Sequence, residues 1–204
     1  MDAGMALQQI SYQIDNRLYL NITDRCTLHC WFCPKFQRGP QVHNYDLSLH
    51  KLPTLEQIIG SIDAPAKYDE VVFCGFGEPT LRLNILLEVA QHVQQRGGRV
   101  RLNTDGLASL VHKRDVVPEL AQCVDSVSVS LNAQNEEIYN RHCLPALPNS
   151  YQAMLDFIAS ASQQISTVTA TAIDGLEQVD INACEEIALS LGAQFRARTL
   201  DVVG

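Results

Sequence analysis

Residues Ser126-Val127-Ser128-Val129-Ser130-Leu131-Asn132 alternate hydroxyl or amide side chains with aliphatic ones over seven positions. Successive side chains of a strand point to opposite faces, so this stretch reads as a strand with one polar and one apolar face. Other stretches repeat the pattern. Arg99, Arg101 and Asn103 oppose Val100 and Leu102. Thr167, Thr169 and Thr171 oppose Val168, Ala170 and Ala172, while Arg196 and Arg198 oppose Phe195, Ala197 and Thr199. A parallel strand covered by helices on both faces is apolar on both. The alternation therefore points to a sheet whose apolar faces meet helices and whose polar faces line a concave lumen. Unpaired polar groups there are costly, so the lumen is expected to hold water or a polar ligand.

Working outward, strands are expected at 71–76, 99–103, 126–132, 167–173 and 194–199, preceded by a hairpin of 10–14 and 17–23 around Asp15-Asn16, a pair that tolerates positive φ. Between them lie segments of helical periodicity. Leu81, Ile85, Val89 and Val93 form one stripe; Ile181, Cys184, Ile187, Ala188 and Leu191 form another. Thr54-Leu55-Glu56-Gln57 reads as a capping box opening a helix through Ile62, and Gly97-Gly98 and Gly192 stand where helices should end. Strand–helix alternation implies parallel strands with right-handed crossovers. The expected fold is α/β: a partial (β/α)6 TIM-like barrel with parallel strands, preceded by a short N-terminal hairpin strand, in one domain over 1–204. Residues 34–52 form the one long irregular stretch, a length usually associated with function or mobility.

Bulk composition narrows the possibilities. With 204 residues, 46% of them hydrophobic, the chain can bury one full core. A net charge of −8 disfavours broad nucleic-acid surfaces and anionic membranes. No long apolar run or leader-like N-terminus is seen, so the default expectation is a cytoplasmic protein with no membrane partner.

Of seven cysteines, three cluster in Cys26-Thr27-Leu28-His29-Cys30-Trp31-Phe32-Cys33. A tight cluster of this kind reads as metal binding, and three thiolates at this spacing can hold three corners of an iron–sulfur cube. The fourth corner lacks a local cysteine, and an open metal position is what separates a reactive site from a closed structural one. The plainer alternative is a zinc knuckle completed by His29 or His43. Cys184 falls on an apolar helical stripe, Cys123 and Cys143 are isolated in sequence, and Cys74 is expected to pack.

The next strand ends in Cys74-Gly75-Phe76-Gly77-Glu78-Pro79-Thr80, where glycines allow backbone to approach a ligand and Pro79 suits a helix start. Asn103, in Asn103-Thr104-Asp105-Gly106, sits at a strand end or in a plain turn. Ser130 and Asn132 end the following strand, and Arg141 follows in Tyr139-Asn140-Arg141, either as a ligand or as a solvated helix charge. Arg196 and Arg198 either charge an edge strand against aggregation or reach into the lumen over an anion.

The cysteine triplet, with aromatic Phe32 before its last member, resembles the signature of the radical S-adenosylmethionine (radical SAM) superfamily. Gly77-Glu78-Pro79 looks like the end of that superfamily's Gly-Gly-Glu-Pro motif, with Phe76 interrupting the glycine pair. The stretches Leu18-Tyr19-Leu20-Asn21-Ile22-Thr23-Asp24-Arg25-Cys26, Asn44-Tyr45-Asp46-Leu47-Ser48-Leu49, Ser128-Val129-Ser130-Leu131-Asn132-Ala133 and Phe195-Arg196-Ala197-Arg198 resemble the small TatD-linked radical SAM proteins. This resemblance implies a [4Fe–4S] cluster on Cys26, Cys30 and Cys33. It also implies that Gly75, Gly77 and Glu78 hold the methionyl ammonium of SAM, with Asn103, Ser130, Asn132 and Arg141 around its ribose and carboxylate. It further implies reductive cleavage of SAM to a 5′-deoxyadenosyl radical, an external donor of flavodoxin or ferredoxin type, and hydrogen abstraction from a polar substrate. A glycyl-radical activase, a non-catalytic metal-binding or electron-carrier module, and a nucleic-acid modifier are the competing readings.

Overall fold

The structure, a computed structural model, describes residues 8–200. Its elements run β1 (Ser11–Ile14), β2 (Arg17–Leu20), α1 (Pro34–Gln37), β3 (Gln41–Val42), β4 (Tyr45–Asp46), α2 (Leu55–Gly60), β5 (Glu70–Phe73), α3 (Leu83–Gln95), β6 (Val100–Thr104), α4 (Ala108–His112), α5 (Val117–Leu120), β7 (Ser126–Ser130), α6 (Glu136–Cys143), α7 (Ser150–Gln164), β8 (Thr167–Asp174), α8 (Ile181–Ser190) and β9 (Gln194–Thr199). Seven strands form one sheet in the order β1-β2-β5-β6-β7-β8-β9, and β3 and β4 form a separate small ladder. Within the seven-stranded sheet only β1 runs antiparallel, paired with β2 as the hairpin expectation requires; β3 and β4 are also antiparallel to each other.

The strand order follows the chain without reversal, so the fold has no switch point of the doubly wound kind. Register matches the alternation. Arg101, Ser126 and Thr167 stand in one row; Asn103, Ser128, Thr169 and Gln194 in another; Ser130, Thr171 and Arg196 in a third. The opposite face is aliphatic: Leu18, Leu20, Val71, Phe73, Val100, Leu102, Val127, Val129, Val168 and Ala170 are buried in one core with Leu86, Ala90 and Val93 of α3 and Met154, Phe157 and Ile158 of α7. Full burial of each Leu or Phe among them contributes about 1.5–3 kcal/mol.

The sheet is curved. Tyr19 of β2 and Arg198 of β9 line one cavity although five strand steps separate them, a distance of roughly 24 Å in a flat sheet at ~4.8 Å spacing. This curvature agrees with the partial barrel expected from sequence; β1 and β9 are its two unpaired edges.

Several sequence boundaries are corrected. The second, third and fifth expected strands leave the ladder early, at Leu20, Phe73 and Ser130. The residues beyond them, including Cys74–Gly77 and Asn132 at φ 62°, become the loops of the strands' C-terminal rim. The first helical stripe is also displaced. Pro79–Arg82 forms a 3-10 turn, so α3 begins at Leu83 and buries Leu83, Leu86, Val89, Ala90 and Val93, leaving Leu81 and Ile85 half-buried. Gly97 ends this helix at φ 75°, and Gly98 donates to the carbonyl of Val93 at 3.0 Å. The capping box is as expected: Thr54 and Gln57 exchange side-chain and backbone hydrogen bonds. The irregular 34–52 stretch contains α1 and the β3–β4 ladder, turning at His43 with φ 51°. Val42 and Leu47 from this stretch pack with Tyr12, Tyr19 and Val72 in a second apolar cluster. Among the described residues no helix is long and apolar enough to cross a membrane.

Candidate active site

The cysteine loop leaves the rim end of β2 and is pinned from outside by the end of α6. His29 N–H donates to Cys143 O at 3.0 Å, Trp31 N–H to His142 O at 3.2 Å, and Ala146 N–H to Thr27 O at 2.9 Å. Beneath them His142, 2% exposed, accepts the Trp31 indole proton on Nδ1 at 2.7 Å. Its Nε2 therefore carries the ring proton and donates to Glu177 O at 2.7 Å, which fixes the tautomer. The loop ends where Cys33 O accepts from the N–H groups of Phe36 and Gln37, with Pro34 opening α1.

Cys26, Cys30 and Cys33 are free thiols lining one cavity of about 410 Å³. Burial raises the thiol pKa of Cys26 and Cys33. That of Cys30 is raised first by a hydrogen bond with Cys143 and then by burial. Such thiols keep their protons until a metal-borne positive charge draws them into the thiolate form. Among the described residues no three His, Cys, Asp or Glu side chains converge closely enough to hold a single ion. His29, a candidate fourth zinc ligand, stacks on Phe36 with centroids 4.0 Å apart, and neither His29 nor His43 is among the residues lining the cavity. Three thiols spread along the wall of one cavity are a donor set that fits a multi-iron core.

Beside the loop, the rim ends of β5 and β6 are tied through Glu78, whose own N–H donates to Arg25 O at 2.7 Å. Its Oε1 accepts from Thr80 N–H at 3.0 Å, Thr80 Oγ1 at 2.6 Å and Thr104 Oγ1 at 2.8 Å; its Oε2 accepts from Asp105 N–H at 2.8 Å. Asp105 accepts from Thr27 Oγ1 on one oxygen and from Leu107 N–H at 2.9 Å on the other. The bond from Asp105 N–H to Glu78 brings the two carboxyls together, and among the described residues neither has a Lys or Arg partner. Burial, then the charge of Asp105, pushes Glu78 up to about 8, and burial raises Asp105. An uncompensated carboxylate pair in a cavity wall is a place for a cationic ligand group.

This pair sets a pH dependence. A carboxyl with a raised folded-state pKa holds its proton more tightly in the fold, so its stabilisation is full below the unfolded value and is lost as pH climbs to the folded one. The urea midpoint of the ligand-free chain should fall between about pH 4.5 and pH 8. Asp105→Asn removes one charge, keeps an acceptor for Leu107 N–H and leaves the backbone donor to Glu78 in place. It should flatten that slope; an unchanged slope would place the titrating group elsewhere.

Gly75 and Gly77 also line the cavity. A Cβ on Gly77 would lie 2.4 Å from Arg25 O and 2.5 Å from Thr23 O, so the motif strand and the cysteine loop touch backbone to backbone there. Asn103, Ser130 and Asn132 complete the expected group in the lining, and Asn103 Oδ1 is buried with no partner. Arg141 departs from the expectation. It is absent from the lining and pairs with Glu137 at 3.2 Å and Gln178 at 2.5 Å on an exposed helix face, because α6 turns this side of itself outward. Arg196 and Arg198 line the cavity, as the lumen alternative had it. Sequence reading missed Asp105, quoted only as part of Asn103-Thr104-Asp105-Gly106, and Arg101, noted only for its face. It also missed Cys143, which looked isolated but touches Cys30, and His142. Only Arg101 carried a local signal, its position between Arg99 and Asn103 on the polar face.

A family model for the Radical SAM superfamily matches residues 20–191. The chain belongs to the radical SAM superfamily. Among curated proteins, this radical SAM chain is 27% identical over 126 residues to the dual-specificity RNA methyltransferase RlmN of Buchnera aphidicola subsp. Schizaphis graminum (strain Sg). That alignment covers 56% of this chain and only 32% of the methyltransferase. Among solved structures, it superposes on TYW1 with a lysine-pyruvate adduct bound at TM-score 0.65 and 13% identity, covering 92% of this chain and 66% of that one. Streptococcus suis SuiB bound to S-adenosylmethionine gives TM-score 0.65 and 14% identity, with coverage of 92% and 41%. A radical SAM methyltransferase from Sphaerobacter thermophilus gives TM-score 0.56 and 16% identity, with coverage of 93% and 68%. These likenesses show a shared fold.

Proposed function

We propose that this chain is a radical SAM enzyme that acts on a polar substrate inside a partial (β/α)6 barrel. The observation that carries the reading is a single cavity lined by three free thiols and, beside their loop, by the buried Glu78–Asp105 pair, which among the described residues has no cationic partner. Cys26, Cys30 and Cys33 would hold a [4Fe–4S] cluster. With SAM bound, that group would pass on one electron from an external reductant, splitting the sulfonium into methionine and a 5′-deoxyadenosyl radical able to abstract hydrogen.

The rest falls to the protein's own residues. Glu78, held rigid by four donors, would give up its proton as the methionyl ammonium arrives and supply the paired negative charge, and Gly75 and Gly77 line the cavity while packing their Cβ sides against Asn21 and the cysteine loop. Asn103, Ser130 and Asn132 offer hydrogen bonds to ribose hydroxyls from the rim of β6 and β7, and Asn103 Oδ1 has an unspent acceptor. Arg141 is left out of this set. The β3–β4 segment, through Val42 and Leu47, covers the lumen beside Tyr12 and Tyr19 and excludes water from that side. An external one-electron donor, a cytoplasmic setting, a single domain and kinship with the TatD-linked proteins belong to the same proposal.

Anaerobic reconstitution with iron and sulfide, followed by Mössbauer spectroscopy with and without SAM, tests it. A cubane with one iron site altered by SAM is the expected result. No cubane, or a spectrum indifferent to SAM, would sink the reading.

A further inference from the structure

The lumen is electrically lopsided. Glu78 and Asp105 occupy one region of its wall; Arg38 lines it just after α1, and the sheet adds four more guanidiniums, those of Arg17, Arg101, Arg196 and Arg198. One carboxylate, Glu70, serves two of these four: its Oε2 pairs with Arg17 Nε at 3.2 Å and with Arg101 Nη1 at 3.1 Å, and its Oε1 accepts from Ser126 Oγ at 3.1 Å. Asp15 reaches the lining only from the exposed β1–β2 turn. Among the described residues Arg196 and Arg198 have neither a carboxylate partner nor a hydrogen bond, and Arg101 Nε is buried without an acceptor.

Geometry gathers these charges. A second hollow of about 320 Å³ adjoins the first, and Arg101, Ser128 and Arg196 line both. Arg101 of β6 and Arg196 of β9 are three strand steps apart, and the curvature of the sheet turns them toward one space. Mutual repulsion works against this arrangement: partial desolvation, then Arg198 and Arg101, press the guanidinium of Arg196, an exposed residue at the mouth of both hollows, below its usual range. Guanidiniums held together with spare donors are an oxyanion site, because each planar fork matches two oxygens of a carboxylate or phosphate.

We propose that the substrate is a small molecule bearing an oxyanion, phosphate or carboxylate, that docks between Arg101 and Arg196 where the two hollows meet, with Arg198 as a further donor. This assignment rests on the radical SAM reading, under which the amino acid end of SAM is taken up at the cluster and the Glu78 region. The guanidiniums are then left for a different anion. Tyr12 and Tyr19, stacked with centroids 5.3 Å apart along the same wall, offer a flat apolar surface to the rest of that molecule.

The test is anaerobic calorimetry of the reconstituted full chain at low ionic strength, titrated with inorganic phosphate and, separately, with malonate. At least one anion should bind saturably. Arg196→Gln and Arg198→Gln should each weaken that binding about tenfold. Arg114→Gln, which breaks an exposed ion pair with Glu119 outside the lumen, should leave it unchanged. The anion that saturates tells phosphate from carboxylate. A chain that builds the cluster chromophore but binds neither anion overturns the oxyanion assignment alone. A chain that never builds the chromophore overturns the radical SAM reading and the substrate role with it. Binding equally weakened by Arg114→Gln overturns the site. So does tight, steeply salt-dependent binding of a tRNA-length RNA with no small-anion binding.

Discussion

Alanine at Cys26, Cys30 or Cys33 should each bring the anaerobic brown chromophore and 5′-deoxyadenosine formation down to background. All three thiols come from one loop, and that loop has no slack. Its outer edge is hydrogen-bonded to Cys143 and His142 at the end of α6 and, through Thr27 O, to Ala146 beyond it, and its inner edge presses against Gly77. The remaining cysteines cannot stand in. Cys74 lines the cavity but belongs to the rim of β5, Cys143 touches Cys30 yet is absent from the lining, and Cys123 and Cys184 are core residues. Cys184→Ala is the matched control: it removes one buried sulfur from the α8 stripe, should lower stability by about 1 kcal/mol, and should keep the colour. Iron and acid-labile sulfide per chain, measured beside the absorbance, check the result. A triplet variant that retains colour and product would remove the cluster assignment.

Gly77→Ala should be nearly as damaging for a different physical reason. The added methyl would meet Arg25 O at 2.4 Å, Thr23 O at 2.5 Å and Arg25 N at 2.8 Å, all backbone atoms. Arg25 O cannot yield easily, because it accepts the Glu78 N–H at 2.7 Å. Relief requires the cysteine loop and the motif strand to part, at a cost of about 3 kcal/mol and with Cys26 displaced. Urea unfolding and iron content after reconstitution should both fall. Gly60→Ala provides the contrast: nothing lies within 4 Å of its Cβ position at the end of α2, so it should stabilise by about 0.5–1 kcal/mol and leave iron binding alone. Equal behaviour of the two variants would show that the Gly77 contact is unimportant.

The stacked strand, loop and motif patterns explain why so much was readable. Alternation at Ser126–Ser130 and 194–199 assigned each side chain to a face, and the parallel register kept those faces aligned across six strands. The triplet spacing and the glycine-rich strand end lie on successive βα units, so chain order alone put them at the same rim. What failed was of another kind. The α3 stripe slipped because a 3-10 turn consumed Pro79–Arg82 before the helix began, and periodicity does not report where a helix nucleates. Arg141 is placed at SAM by family resemblance, with a solvated helix charge as the alternative, and the rotation of α6 about its own axis points it outward to Glu137 and Gln178.

The sequence by itself determined the superfamily, the strand–helix order, which side chains face the lumen, and the three thiols that share a loop. These follow from short-range regularities: two-residue strand period, helical spacing, and the reach of a few residues of backbone. Only the tertiary structure decided that Asp105 sits against Glu78, that Cys143 backs Cys30, that His142 holds Trp31, and that Arg101 and Arg196 share one space. Each of those pairs joins different elements across the curved sheet or across its rim. Their proximity is set by how far the sheet bends and how the helices pack behind it, a collective property that no local stretch encodes.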